Sequence, residues 1–334
     1  RTLRRLADEG PDAFYRGALA ESMVDFSTRT GGRLTLEDLA AHRADWVEPL
    51  GVNYRGHTVH ELPPNGQGIV ALQALAVLEG LDLARYGRDD PRALHPQIEA
   101  IKMAFEDAQA HVADPDHMTL RPEDLLDPAH VARQRARIGE TALAPHPSEA
   151  NRGGTVYFCA ADGEGQMVSF IQSNYAGFGS GVVVPGTGIA LQNRGANFNL
   201  KEGHPNELRP GKRPYHTIIP GFLTRDGQPV GPFGVMGGFM QPQGHLQVIV
   251  NALEFGLNPQ AALDAPRWQW LQGRKVEFEP EFNPDSVRAL ARMGHEVSLN
   301  LEAGSFGRGQ IIWRHGETLV GASEPRADGQ AVAL

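Results

Sequence analysis

The residue best placed to do chemistry in this chain is a threonine. In "NRGGTVYFCAADGEGQMVSF", which begins at Asn151, two glycines stand directly before Thr155, and the residues after it read as a β-strand. A threonine hydroxyl is a poor nucleophile unless a base beside it takes its proton. If the peptide bond before Thr155 were cut, the freed α-amino group would be that base, held in reach by covalent geometry and titrating close enough to neutrality to accept a proton. The glycines suit the cut as well, because nothing hinders the hydroxyl from reaching the Gly154 carbonyl and moving the acyl group from nitrogen to oxygen before hydrolysis. Gly-Gly-Thr is equally an ordinary loop-to-strand junction, and these residues alone leave both readings standing.

Other chemistry-bearing clusters are weaker. In "AHVADPDHM", His111, Asp114, Asp116 and His117 gather imidazole and carboxylate as a metal site would. No histidine pair there has the i, i+4 spacing of a helical zinc site, and "ADPDH" reads as a helix end running into a turn. Arg213 in "GKRPY" offers a bidentate fork to a carboxylate, or a structural ion pair. Trp268 and Trp270 alternate as strand residues do and read as packing. Cys159 is the sole cysteine, which excludes an intrachain disulfide and a thiolate metal cage. No metal or organic cofactor is expected.

The elements that must position these groups fall into two textures. Up to about Leu143 the chain reads as mostly helical: Leu19, Met23 and Phe26 recur at helical spacing, and Thr35 with Asp38 forms a capping-box pattern. "VEPLGVNYRGHTVHELPP" alternates like a strand or hairpin, "PPNGQG" stops it, and "IVALQALAVLEGL" begins a helix. Ile98, Ile101, Phe105, Ala108 and Val112 give one face of a further helix, which Pro96 is expected to open. Residues 144–154, "APHPSEANRGG", read as an exposed loop. After it come short strand-like runs, "TVYFCAA", "QMVSFIQ", "GIALQN", "VGPFGVMG", "KVEFE", "EVSLN", "QIIWR" and "TLVGAS". Two helices interrupt them, "PQGHLQVIVNALEFG" and a segment with Asn283 as N-cap, Pro284 at the first position and Gly294 at its end. This order predicts an α+β layered protein with stacked sheets between helical layers.

Totals narrow the partners. With 334 residues, 41% of them hydrophobic, the chain can bury a large core. A net charge of −9 with no basic run longer than a pair gives no footprint for nucleic acid. No apolar stretch approaches the roughly 20 residues of a membrane-spanning helix. The chain opens at Arg1 inside an amphipathic pattern with Leu3 and Leu6, so the natural N-terminus is expected to lie upstream. The compartment stays open, with the cytoplasm favoured.

The run from Thr155 through "GIALQNRGANF", then "GKRPYHTIIPGF", "VMGGFMQPQGHLQVIVNALEFGLNPQAALDAPRW" and "GASEPRADGQA", together with "GVNYRGHTVHELPPNGQG" upstream, resembles the γ-glutamyltransferase family of N-terminal nucleophile hydrolases. The resemblance covers nearly the whole chain. It implies a proenzyme that cuts itself before Thr155, and a four-layer αββα sandwich. Residues 1–154 would be the end of a large-subunit segment and 155–334 a small-subunit segment, interleaved in one domain, with a dimer of these pairs possible. Thr155 would be nucleophile and general base, Ser173 the second hydroxyl that hydrogen-bonds it, and Gly237 and Gly238 the source of the oxyanion-hole N–H groups. The implied substrate is a small-molecule γ-glutamyl or related acyl amide, such as glutathione or a glutaryl amide.

Departures from the family pattern fall in the substrate pocket. Asn197 stands where the family has an acidic residue for the substrate α-amine, and Arg194 belongs to the same motif. His216 and Thr217 replace a pair of serines for the α-carboxylate, with His216 able to carry charge if protonated. Tyr175 replaces an asparagine. Together these resemble the acylase-like branch, in which the acyl group need not carry an α-amine. The family's arginine for the substrate carboxylate belongs upstream of this chain. A non-processed relative that only binds or builds structure is the alternative; hydrolysis and transfer to an amine acceptor are left undecided.

Overall fold

The computed structural model describes residues 1–145 and 154–333. Most of the loop expected before Thr155, residues 146–153 with Gly153 among them, lies outside the described residues. Four helices lead the chain: α1 (Thr2–Glu9), α2 (Asp12–Tyr15), α3 (Ala18–Arg29) and α4 (Leu36–Ala41). The capping box forms as the sequence predicts: the Thr35 hydroxyl accepts from Asp38 N–H at 3.2 Å, and the Asp38 carboxylate accepts from Thr35 N–H at 2.9 Å. The hairpin β1 (Leu50–Tyr54) and β2 (His57–Glu61) follows, then α5 (Gly68–Glu79), α6 (Pro91–His111) and α7 (Pro128–Ala136). α6 starts at Pro91 and not at Pro96, because the Asp90 side chain accepts from Arg92 N–H and caps the earlier turn. Pro96 sits inside the helix, where it removes one N–H from the ladder.

From residue 154 the chain forms β3 (Gly154–Ala161), β4 (Met167–Tyr175), β5 (Val183–Val184), β6 (Ile189–Ala190), β7 (Gly221–Arg225) and β8 (Gln228–Met236). Helices α8 (Met240–Leu253) and α9 (Pro259–Asp264) precede β9 (Trp268–Gln272) and β10 (Lys275–Phe278). The chain closes with α10 (Pro284–Arg292), β11 (Glu296–Leu299), β12 (Arg308–His315) and β13 (Thr318–Ser323). The main sheet is six-stranded and antiparallel, in the order β1-β2-β7-β8-β12-β13. Strands from either side of residue 154 therefore share one sheet, and the buried core likewise mixes Val59, Leu72 and Ile98 with Leu223, Phe233 and Leu246.

Successive residues of β8 serve two layers, as the strand period requires. Val235 points to α8, where a Cβ on Gly244 would come within 2.5 Å of its Cγ1. Gly234 points the other way, and a Cβ there would lie 2.5 Å from the Tyr157 ring on β3. α5 and α8 thus lie on one face of the sheet, with α6 packed on α5, and the β3–β4 hairpin lies on the other. α5 is apolar all round because it is sandwiched: Ile69, Val70, Leu72, Leu75 and Leu78 are all buried. The content is mixed helix and sheet, stacked as helices, sheet and hairpin. The outward face of the hairpin carries Val156, Phe158, Val168 and Phe170, all exposed, with the two phenylalanine rings stacked at 4.6 Å.

Trp268 and Trp270 are buried on β9 as packing residues. Their backbone groups bond to two α8 glutamines one turn apart: Gln243 accepts from Trp270 N–H at 2.7 Å, and Gln247 from Trp268 N–H at 3.1 Å. No described helix is long and apolar enough to cross a membrane.

Candidate active site

β3 and β4 run antiparallel with Thr155 opposite Ser173, and the register slips between Gly154 and Thr155. The strand alternation turns Thr155 inward, where it is buried, and leaves Val156 exposed. Gly154 has a packing reason to be glycine. A Cβ there would lie 2.8 Å from both Cα and N of Gly177, closer than any side chain tolerates.

Ser173 does not hydrogen-bond Thr155 directly in this arrangement. Its Oγ accepts instead from Arg194 Nη2 and, at 3.2 Å, from Tyr175 N–H. Tyr175 reaches that position with φ 80, a left-handed backbone that a bulky residue adopts rarely. Two accepted bonds leave the Ser173 proton as the group it can give. Arg194, in the 3₁₀ turn Arg194–Asn197, is 5% exposed; its Nη1 donates to Thr217 Oγ1 at 3.1 Å, and its guanidinium lies 5.6 Å from the Tyr175 ring centroid. No carboxylate among the described residues pairs with it. Burial lowers its pKa to about 10, so the guanidinium stays protonated at neutral pH.

Thr217 is fully buried, and its hydroxyl is taken by Arg194. His216, beside it, accepts from Ile218 N–H through Nδ1 at 3.4 Å. Burial first, and the Arg194 charge second, push its pKa down to about 3, so the ring is neutral at pH 7. The charged donor that the sequence allowed at His216 is thereby removed; only a neutral ring remains. Asn197 ends the same 3₁₀ turn as Arg194, with its Nδ2 buried and without a hydrogen-bond partner among the described residues.

Gly237 and Gly238 form the step from β8 into α8, with φ 144 and 61, conformations open chiefly to glycine. Neither N–H donates to a protein acceptor among the described residues, and both lie at the N-terminal end of α8, where the helix dipole favours negative charge. Their carbonyls are held: Gly237 O accepts from Met240 N–H at 3.1 Å, and Gly238 O from Gln67 Nε2 at 2.8 Å. Gln67 also donates to Thr217 O at 2.7 Å and so fastens the two stretches together. Sequence reasoning treated "PPNGQG" as punctuation and missed Gln67. Its signal was a polar side chain set directly before a mostly apolar helix.

An open cleft of about 530 Å³ is lined by Thr155, Ser173, Gln172, Asn174, Met236 and Arg308, among others. Arg308 was also missed; a lone arginine between two glycines ahead of the apolar "QIIW" was its trace. The remaining candidates lie elsewhere. Asp114 accepts from Asp116 N–H and, at 2.8 Å, from Arg213 N–H, which makes it a cap and a brace. Arg213 pairs with Asp45 at 2.5 Å, each side chain about half exposed. A different trio, His95, Glu99 and His295, brings its ligand atoms within 4.8 Å of one another. Lys102 fills that space, donating to Glu99 Oε1 at 2.8 Å, Leu143 O at 2.9 Å and His295 Nδ1 at 3.3 Å, so a cation there would meet an ammonium.

The family model described as Gamma-glutamyltranspeptidase matches residues 1–334. The glutathione hydrolase-like YwrD proenzyme of Bacillus subtilis (strain 168) is 36% identical over 343 residues, covering 100% of this chain and 65% of the relative. The oxamate amidohydrolase proenzyme of Klebsiella pneumoniae subsp. pneumoniae is 37% identical over 337 residues, covering 99% and 63%. The crystal structure of cephalosporin acylase from Bacillus halodurans superposes with a TM-score of 0.95 at 56% identity, covering 100% of this chain and 61% of that one. The chain spans less than two thirds of the length of each of these three. A match that runs through both textures of the sequence, from the leading helices to β13, shows that the chain belongs to the gamma-glutamyltranspeptidase family.

Proposed function

We propose that this chain is the catalytic part of a self-processing amidohydrolase or acyltransferase with Thr155 as its nucleophile. The observation that carries the proposal is the juxtaposition at the start of β3: Gly154, which no larger residue can replace, precedes a buried Thr155 facing the Ser173 hydroxyl. In processing, Thr155 Oγ1 attacks the Gly154 carbonyl carbon and the resulting ester is hydrolysed, freeing the Thr155 amine. Residues 1–154 and 155–334 then remain as two segments of one fold, and the four-layer αββα sandwich belongs to this proposal. The stacking of helices, sheet and hairpin supports it, as does the apolar outer face of the hairpin.

In turnover the α-amine accepts the Thr155 hydroxyl proton as Oγ1 attacks the amide carbon. The oxyanion is met by the free N–H groups of Gly237 and Gly238. Collapse expels the amine, which carries away the proton, and leaves an acyl ester on Thr155 for water or an acceptor amine to release. Ser173, its acceptor positions filled by Arg194 and Tyr175 N–H, donates its proton toward the Thr155 oxygen. No step calls for a metal or cofactor.

The substrate is a γ-glutamyl or glutaryl-type amide, in keeping with relatives named for glutathione, oxamate and cephalosporin. Electrostatics favour the glutaryl type. Arg194 is a buried cation without a carboxylate partner among the described residues, and Asn197 offers an N–H donor, so a substrate ammonium finds repulsion where a carboxylate finds partners. Turnover of glutaryl and γ-glutamyl p-nitroanilides tests the reading. Thr155→Ala should remove both chain cleavage and turnover while Thr155→Ser keeps part of each, and activity persisting in Thr155→Ala would remove the mechanism.

A further inference from the structure

Two guanidinium groups flank the Thr155–Ser173 pair, and they differ in what they hold. Arg194 is closed in and gives N–H groups to two hydroxyls. Arg308, at the start of β12, lies on the open cleft, and its Nε is buried without a hydrogen-bond partner. No ion pair or hydrogen bond engages the rest of its guanidinium among the described residues. Among the described residues that line the cleft, Arg308 alone has an ionised side chain. Its place is fixed by the sheet: the register sets it opposite Met236, the residue before Gly237. Room for the head group comes from Gly304, where a Cβ would lie 2.8 Å from Arg308 Nη2.

We propose that Arg308 determines specificity for the departing half of the substrate, by binding a carboxylate on the leaving amine. The inference rests on the reading of Thr155 as nucleophile. A carbonyl held between Thr155 and the Gly237–Gly238 N–H groups has two substituents. The acyl group fits the enclosed side around Arg194, and the amine must leave through the opening, where Arg308 waits. A buried N–H with no acceptor is unfavourable, and a planar fork of donors matches a carboxylate bidentately. The preferred substrates are then amides formed from a small acyl group and an amine that itself carries a carboxylate, as amino acids do.

The test compares two leaving groups on one acyl chain, glutaryl-4-nitroanilide and glutaryl-3-carboxy-4-nitroanilide, using processed wild-type protein, Arg308→Met and Arg308→Lys. Wild type should favour the carboxylated anilide in kcat/KM, and Arg308→Met should cut that preference ratio by about 10- to 100-fold, mainly through KM. Arg308→Lys should recover part of it. A ratio unchanged in Arg308→Met, with both substrates slowed alike, would make Arg308 a structural residue and overturn the proposal. Loss of preference for glutaryl over uncharged pentanoyl anilides, with the leaving-group ratio intact, would overturn it too, by moving Arg308 to the acyl side. If wild type turns over neither anilide, the catalytic reading fails by itself, and the amines decide Arg308 separately. By titration calorimetry, 5-amino-2-nitrobenzoate should bind wild type and lose about 10-fold or more in Arg308→Met, whereas equal binding to both would reject the assignment.

Discussion

Buried arginine occurs in two settings in this molecule, and the contrast separates structure from function. Arg267 is buried, Arg326 is half-buried with its side chain largely covered, and both are paired: Arg267 with Glu324 at 2.7 Å, and Arg326 with Glu279 and Glu324. Further donors reach backbone carbonyls, Arg267 those of Phe306 and Gly307, Arg326 those of Leu263 and Ala265. Burial alone would depress Arg326, yet the hydrogen bond to Glu279 and the charge of Glu324 hold its pKa above the ordinary value. Arg194 is buried with no carboxylate partner among the described residues, and burial lowers its pKa to about 10. A cation paired with a buried carboxylate fastens the fold. One held only by hydroxyls has electrostatic capacity left for a ligand.

Breaking the paired region should give the largest effect. Arg326→Met leaves the buried Glu279 carboxylate without its cation and takes one of two from Glu324, and should cost about 3–5 kcal/mol in urea unfolding. Arg194→Met removes a charge that no carboxylate among the described residues neutralises, so stability should stay within about 1 kcal/mol of wild type while glutaryl-anilide turnover falls. Equal destabilisation by the two substitutions would erase the contrast.

Next comes the turn that follows β8. Gly237→Ala introduces a Cβ at φ 144, only 3.1 Å from Gly307 Cα, and should tilt the free N–H away from the reacting carbonyl. The expected loss is about 10²- to 10³-fold in kcat, with KM changing far less; a matched rise in KM would instead indicate ground-state binding. A smaller effect is expected from Asn197→Asp, which puts a carboxylate in the same 3₁₀ turn as Arg194 and so makes the functional region more like the structural one. Selectivity should move toward γ-glutamyl over glutaryl anilides by about 10-fold, the equivalent of roughly 1.4 kcal/mol. Unchanged selectivity would mean that Asn197 lies away from the acyl group.

Acid should give the mildest change. His295 sits among His95, Glu99 and Lys102, and burial, followed by the Lys102 and His95 charges, lowers its pKa to about 3. His216 is depressed to about 3 as well. The unfolded rings titrate near 6.5, so between these values the unfolded chain binds more protons than the folded one. Their contribution to stability is complete above about pH 6.5 and is lost as the pH falls toward 3. Between pH 7 and pH 6 the loss should be under about 1 kcal/mol per ring, readable as a shallow fall in Tm. His295→Gln should flatten that fall, and an unaltered slope would assign the acid sensitivity to carboxylates.

How much of this was legible in the sequence depends on whether a feature is local. Capping at Thr35 and Asn283, the alternation that becomes the β1–β2 hairpin, and a strand running from about Thr155 are written in adjacent residues, and each has its counterpart in the structure. α6 was misjudged at its start because a proline within the first turns looks much like one that opens a helix. β7 went unseen, since "GFLTR" is short and lacks alternation, and pairing with β2 and β8 creates it. The site divides in the same way. Glycines before a strand and after a strand are visible as types, but the reason Gly154 must be glycine is the backbone of Gly177 across the hairpin. Gln67 and Arg308 reach the site from distant segments, and only the fold brings them there. Ser173 was legible as a hydroxyl opposite the threonine, whereas its capture by Arg194 depends on an arginine left without a carboxylate, which is a property of the packed interior.

If Thr155 at the head of β3 is a nucleophile released by its own attack on Gly154, the protein is made as one chain and recovered as two. A denaturing mass spectrum with N-terminal sequencing, on protein expressed from its full reading frame, tests it most directly. Two chains are expected, one beginning at Thr155, and a single uncut chain for Thr155→Ala. A single uncut chain in the wild-type protein would contradict it and leave Thr155 an ordinary residue at the head of a strand.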